Sequence, residues 1–401
     1  MKKIVPIKEL QIGMFVSQIT KSKANLVVKS QGMIRSLATI ESLTARGILE
    51  LEIDFDKSDI DPPAPISQAT SAPRNIQTRV ANNKVISFEQ HQKDLAAADR
   101  LYIESREIQG RFIRQLQSGQ APDFDSLNNL SQEIIDSVFE NPDALACLIM
   151  LKESNEYLVE HALNCSILLS LFAKYKGFSQ ADTEDLTLAG LLMDCGMSLL
   201  PAELTLRNDT FSEADHTLVR THIDIGIEIA ERFSDLPPIV FDVIRNHHER
   251  IDGSGYPKKK QADEISVHAQ MAAIADCYDA VLTDRGYRSS SSAHLGLEML
   301  QNDPGHDTDL VNEFIEAIGW FPVGSLVHLK SGKLAIVVQR NKNNPLEPTV
   351  MTFYSVRNKA PTEMKRIDLK RQTADKIIGS VIPEEFDINL PKFFRNALLS
   401  F

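Results

Sequence analysis

The sequence predicts a mainly α protein: a helical bundle preceded by a small mixed α/β domain and followed by a β-rich appendix. Three observations carry this. Helical spacing of apolar residues persists from about Phe88 to about Ile318, with no convincing strand. Ahead of it, Leu49, Leu51 and Ile53 alternate with Glu50, Glu52 and Asp54, the period of a half-buried strand. Behind it, apolar runs flank Ser331-Gly332, a hairpin signature.

Taken in order, residues 1–56 form the N-terminal domain. A helix is expected over Ile40–Arg46, stopping at Gly47, a residue suited to the position after a helix end. Residues 57–86 are rich in Pro, Ser and Ala and lack periodicity, which reads as an exposed linker. A helical connector is expected over 87–141 and the main bundle over 142–323. Within the bundle, Ser212 and Asp215 resemble a capping box. The helix they open is expected to run to Phe233, where SDLPP stops it. Pro238 suits the first turn of the next helix, ending near Asn246, and a further helix covers Ile265 to Leu282. In the last region, 324–401, strands are expected over Ser325–Lys330, Leu334–Gln339 and Met351–Val356, followed by an irregular tail.

Composition narrows the function. A chain of 401 residues, 43% apolar and 24% charged, is of ordinary globular make-up and long enough for two or three domains. No stretch has the ~18–20 apolar residues of a membrane helix. The N-terminal MKKIVPIKELQIG lacks the apolar segment of a signal peptide, so a cytoplasmic protein without a membrane partner is expected. Acidic residues exceed basic ones by 55 to 43, a net charge of −12, which works against nucleic acid as a partner. A small anionic ligand stays compatible, because a metal or a local basic cluster binds it against the overall field. The four cysteines, Cys147, Cys165, Cys195 and Cys277, form no CxxC pair and read as reduced thiols.

The chemistry lies in a regular series of His161, Asp194, His222, the pair His247-His248, and Asp276, spaced 25–33 residues apart. A helix plus its loop consumes about that much chain, so each helix would lend one group to a shared centre, as metal-binding bundles do. Imidazoles mixed with carboxylates suit iron, manganese or zinc. Isolated histidines such as His91, His294 and His328 read as surface or core residues. The histidine pair is different. It sits at a helix end and runs directly into Glu249-Arg250-Ile251-Asp252-Gly253-Ser254-Gly255-Tyr256-Pro257, a tight loop. Gly253 and Gly255 are expected in backbone conformations that side chains disfavour.

The segment HHERIDGSGYP resembles the signature of the HD-GYP family, a branch of the HD superfamily of metal-dependent phosphohydrolases. The resemblance extends over about Pro142 to Val323, taking in His161, Asp194, the THIDIG segment with His222, and IADCYDAVLTDRGYR. QIGMFV in the first 56 residues resembles a small domain of unknown function often found ahead of this catalytic domain. The resemblance implies an HD-superfamily helical bundle holding two or three transition metals, commonly iron or manganese. It also implies hydrolysis of cyclic di-GMP or a related cyclic dinucleotide by in-line attack at phosphorus. His222, His247 and His248 would hold one metal, catalytic Asp194 would bridge to a second, and His161 and Asp276 would complete that second position. Arg250, Gly255, Tyr256, Pro257, Arg285 and Arg288 would contact the substrate, and the loop would offer a surface to a diguanylate cyclase-type protein.

The sequence departs from that pattern at two key places. Met193 stands where the family has the histidine of its His-Asp doublet, and Met197 where it has a phosphate-contacting lysine. A thioether is a soft ligand, poorly matched to iron(II) or manganese. One tight and one impaired metal position are therefore expected, with hydrolysis weak or absent. The alternative is a non-catalytic module that binds a cyclic dinucleotide or a partner protein. Cys195 lies about 100° further round a helix than Asp194 and should face elsewhere. Gly286 replaces a usual proline, and Tyr157 stands where three-metal members place a carboxylate. The run Lys258-Lys259-Lys260 lies beside the phosphate site that the resemblance implies; its alternative reading is an ordinary solvated face.

Overall fold

The computed structural model describes residues 2–7, 10, 14–22, 32–34, 43, 48–54, 57, 88–150, 156–201, 204, 211–282, 292–341, 344–372, 375–386, 388 and 393. The expected helix over Ile40–Arg46 (apart from Leu43), Gly47, the linker over 58–86, and Arg285, Gly286 and Arg288 lie outside those residues. The chain divides into two units, 1–83 and 84–401.

In the first unit, strands β1 (Lys2–Pro6), β2 (Phe15–Ser22), β3 (Gly32–Met33) and β4 (Ile48–Asp54) form an antiparallel sheet in the order β1-β4-β2-β3. The alternation read from the sequence falls on β4. Leu51 and Ile53 are fully buried and pack with Val5, Val16 and Ile34, while Glu50 and Glu52 point the other way, half-buried.

The second unit opens with α1 (Phe88–Gln117), α2 (Phe124–Glu140) and α3 (Pro142–Leu148). Next come α4 (Tyr157–Lys176) and α5 (Gln180–Leu192), then a 3₁₀ turn over Cys195–Leu199. The bundle continues with α6 (Glu213–Arg220), α7 (His222–Ala230) and α8 (Pro238–Asn246). It ends with α9 (Val267–Leu282), α10 (Ala293–Gln301) and α11 (Thr308–Ile318). Helix α4 is the axis. Its residues are buried on every side from Val159 to Ala173, as expected of a helix apolar all round, and it packs against α1, α2, α5, α9 and α11. Gly177, in the left-handed region at φ 74°, ends it.

The capping box at Ser212 and Asp215 forms, and Pro238 opens α8. The single helix expected from there to Phe233 is instead two, breaking at Thr221. At the break the Thr221 hydroxyl donates to the Leu218 carbonyl at 2.7 Å, and His222 Nδ1 donates to the Val219 carbonyl at 2.7 Å. Side chains thus take carbonyls that a continuous helix would use. His222 thereby becomes the first residue of α7.

The C-terminal strands β5 (Leu326–Leu329), β6 (Lys333–Gln339), β7 (Thr349–Ser355), β8 (Ala360–Asp368) and β9 (Ile377–Ser380) form an antiparallel sheet ordered β8-β7-β6-β5-β9. The expected hairpin is present, with Leu326 opposite Ile336 and Gly332 at φ 77°. The tail expected to be irregular supplies β8 and β9, a correction to the sequence reading. Arg340, just after β6, pairs with Asp143 in α3 and donates to the Ala317 carbonyl at the end of α11, tying the sheet to the bundle.

Candidate metal centre

Five elements converge at one end of the bundle. His161 lies in the second turn of α4 and Asp276 in α9. His222 opens α7, and His247 and His248 end α8. Asp194 comes from the junction behind α5, where the chain leaves the helix at φ −104°, ψ 12° and tightens into the 3₁₀ turn. All of these are buried except half-buried His248.

The ring nitrogens are oriented by what stands behind them. His222 Nδ1 faces the Val219 carbonyl at 2.7 Å, and His247 Nδ1 faces the Val243 carbonyl at 3.0 Å. His161 Nδ1 lies 2.8 Å from Asp279 Oδ2. Carbonyls and carboxylates have no proton to give, so each Nδ1 carries a hydrogen and each Nε2 is the nitrogen left to take a metal or a second proton. His161 Nε2 lies 3.2 Å from Asp194 Oδ2 and 3.1 Å from Asp276 Oδ1. His222 Nε2 and His247 Nε2 lie 3.4 and 3.7 Å from Asp194 Oδ1, both buried with no hydrogen-bond partner. His248 Nδ1 is 3.6 Å from Asp276 Oδ2.

Lone pairs facing carboxylate oxygens repel unless a positive charge lies between them. Burial opposes ionisation of Asp194 and Asp276, yet His161 facing both, and the charge of the neighbouring imidazoles, outweigh it and hold both carboxyls below the usual range. Burial likewise opposes charge on His161 and His247. Neighbouring polar groups outweigh it in both, the Asp194 carboxylate among them, and raise both imidazoles. Burial keeps His222 and His248 below their ordinary value.

Two ligand groups result, each with donor atoms within 4.8 Å of one another: Asp194, His222, His247 and His248, and His161, Asp194 and Asp276. Asp194 belongs to both. Orphaned imidazole nitrogens around shared carboxylates fit a divalent transition metal.

The other sequence candidates fall as follows. Met193 is fully buried, and Met197 is half-buried on the 3₁₀ turn. Cys195 is buried and outside both groups, its thiol pushed up to about 12 by burial. Tyr157 stacks on His161 with ring centroids 5.3 Å apart. Tyr256 stacks on His248 at 4.6 Å, and the exposed Arg220 guanidinium covers the Tyr256 ring at 4.9 Å. Pro257 is exposed, as are Lys258 and Lys259. Arg250 turns inward, donating to the His247 and Glu249 carbonyls at 3.1 and 2.9 Å and reaching the Cys277 sulfur at 3.1 Å.

The two loop glycines serve different purposes. Gly253 has φ 77°, as expected. Gly255, against expectation, is not in the left-handed region. A Cβ there would meet Arg250 N at 2.4 Å and His248 O at 2.5 Å, so close backbone packing requires it. Sequence reasoning passed over Glu249, whose buried carboxylate accepts the backbone N–H groups of Lys258 and Lys260 at 2.7 and 2.9 Å and closes the loop. It also passed over Asp279, three residues beyond Asp276 on one helix face.

This fold and site define a class: helical proteins that gather histidines and aspartates from successive helices around a metal. A family model for the HD domain matches residues 146–310, and one for a domain of unknown function, DUF3391, matches residues 2–127. The chain is 30% identical over 384 residues to the cyclic di-GMP phosphodiesterase PA4108 of Pseudomonas aeruginosa, covering 94% of this chain and 92% of that one. It is 25% identical over 201 residues to the cyclic di-GMP phosphodiesterase PdeB of Borreliella burgdorferi, or 50% of this chain and 53% of PdeB. Among solved structures, the HD-GYP-type protein Bd1817 of Bdellovibrio bacteriovorus aligns with a TM-score of 0.46 at 15% identity, covering 78% of this chain and 98% of that one. The chain belongs to the HD-GYP family. Among the described residues, no helix is long and apolar enough to cross a membrane.

Proposed function

We propose that this is a cyclic di-GMP signalling protein of the phosphodiesterase type, with hydrolysis weak or absent because Met193 replaces a metal-ligating histidine. The observation that carries the reading is the pair of buried, unpartnered Nε2 atoms of His222 and His247 converging on Asp194. Likeness to PA4108 along nearly the whole chain supports the substrate class.

In this reading His222, His247, His248 and Asp194 hold one iron or manganese ion tightly. His161, Asp276 and the shared Asp194 hold a second poorly. Bound metal would polarise the phosphoryl group and lower the pKa of water. The chain supplies the rest. Asp194, held ionised, presents one oxygen to each position, and Tyr256 offers an aromatic face beside His248 for a base to stack on. Arg220 supplies a cation at the same edge, where Met197 supplies none. The loop's exposed Asp252, Ser254, Pro257, Lys258 and Lys259 form the surface proposed for a diguanylate cyclase-type partner.

Met197 favours a second reading, a cyclic dinucleotide-binding module without turnover, since both the ligand and the phosphate-contacting positions are changed. Elemental analysis of chelator-free protein, beside cyclic di-GMP binding and hydrolysis assays, tests both. About one tightly held transition metal per chain, with binding and slow or no turnover, is expected. Two tightly held metals with rapid turnover would overturn the impaired-site argument, and failure to bind cyclic di-GMP would overturn the ligand assignment.

A further inference from the structure

Behind His161 runs a buried polar chain that leads away from the metal centre. Asp279, fully buried in α9, accepts His161 Nδ1–H through Oδ2 at 2.8 Å and Asn164 Nδ2–H through Oδ1 at 2.9 Å. The Asn164 Oδ1 atom accepts the hydroxyl of Tyr102, from α1, at 3.0 Å. Asn164 is fully buried, and Tyr102 nearly so. A carboxylate sealed from water is costly unless both oxygens are paired, and here both are.

The polarity of the chain has no freedom. A carboxylate only accepts, so Asn164 must turn its amide toward Asp279 and its carbonyl toward the phenol. For the same reason His161 must give Nδ1–H, which leaves Nε2 as the nitrogen facing Asp194 and Asp276. Helix α1 holds the centre at two further points on the same face. Arg106 pairs with buried Glu160 at 3.3 Å, beside His161, and Gln109 donates to the Leu191 carbonyl at 2.9 Å, just ahead of Met193 and Asp194. Residues 102, 106 and 109 follow the spacing of one helix face.

We propose that Tyr102, Asn164 and Asp279 are positioning residues that fix the tautomer and ring orientation of His161, and that helix α1 thereby sets metal affinity at the His161–Asp194–Asp276 position. The inference rests on the metal-centre reading. It makes the weaker position responsive to α1, while His222 and His247 of the tighter position are oriented by backbone carbonyls three or four residues before them.

The test is Mn²⁺ titration of the full chain, with free Mn²⁺ read by electron paramagnetic resonance. The wild type should show a tight and a weaker class. Asp279→Asn sets one amide against another, and it should weaken the weaker class 10–100-fold, the usual effect of losing such a partner, while the tight class stays within about threefold. Tyr102→Phe, which removes one hydroxyl, should act in the same direction by about fivefold, the worth of one neutral hydrogen bond.

The double variant Asp279→Asn with Asn164→Asp reverses only the bond between 279 and 164, keeps His161 Nδ1 and the Tyr102 hydroxyl as donors, and should recover most of the loss. A merely structural role would not predict that rescue. Equal weakening of both classes, no rescue by the double variant, or an unchanged weaker class in Asp279→Asn would each overturn the proposal while leaving the metal centre intact. If Asp279→Asn does not fold, an unchanged weaker class in Tyr102→Phe overturns it instead. A wild type without a second Mn²⁺ class overturns the two-position reading itself, and this inference with it.

Discussion

Gly196 is the point where the turn carrying Asp194 meets the helix carrying His222. A Cβ at Gly196 would lie 2.0 Å from the His222 carbonyl oxygen and 2.8 Å from Gly226 N, both backbone atoms. Ordinary contact begins near 3.4 Å, so Gly196→Ala must drive the turn and α7 apart by about 1.4 Å. Asp194 Oδ1 and His222 Nε2 stand 3.4 Å apart on the two sides of that contact, and metal–ligand distances tolerate only about 0.2 Å. Overpacking of this kind costs about 1–3 kcal/mol, and backbone-on-backbone contact belongs at the upper end. Gly196→Ala should therefore lose about 3 kcal/mol in urea denaturation and most of its tightly bound metal by elemental analysis. Gly379→Ala is the matched control: a Cβ there meets nothing within 4 Å, so stability should stay within about 0.5 kcal/mol. Retention of both metal and stability in Gly196→Ala would refute the account of how Asp194 is held.

Gly255→Val places carbon against the backbone of His248, Glu249 and Arg250. It should abolish cyclic di-GMP binding with helical circular dichroism nearly unchanged, whereas surviving binding would make the loop a mere connector. Replacing Lys258, Lys259 and Lys260 together by Gln should weaken cyclic di-GMP affinity and flatten its salt dependence; equal affinity at low salt sinks that role. His306 is buried, and burial together with the Arg250 charge pushes its pKa down to about 4, against ~6.5 for an unfolded histidine. The unfolded chain therefore binds the extra proton between those values, and stability falls as pH drops through that window. Between pH 7 and pH 5 the loss from this group is about 2 kcal/mol. His306→Asn should remove that share in urea melts at the two pH values, and an identical pH dependence in the variant would contradict it.

What the sequence made legible was local. The alternation in β4, the capping box at Ser212, Pro238 at the start of α8 and the turn at Gly332 each announce themselves within a few residues. The histidine and aspartate series was legible because helix-plus-loop spacing is nearly constant. Strand β8 was not, because it is an edge strand whose exposed positions carry Glu363, Lys365 and Arg366, a charged face that hides its period. The break at Thr221 was missed because side-chain competition for carbonyls leaves the apolar pattern intact. Asp279, Asn164 and Gly196 draw their meaning from partners far away in the chain, and Glu249 from backbone N–H groups that a loop brings back to it. The spacing from Asp276 to Asp279 hinted only that one helix face carried two carboxylates.

In the proposed reading, Met193 limits the second metal position and, through it, turnover. Met193→His, alone and with Met197→Lys, tests this most directly, because methionine and histidine are similar in volume and imidazole suits iron or manganese. Bound metal and cyclic di-GMP hydrolysis are measured side by side on the parent and both variants. Metal should rise from about one toward two per chain, and hydrolysis well above the parent, most in the double variant. A parent that already holds two metals and matches the double variant in rate would contradict that reading.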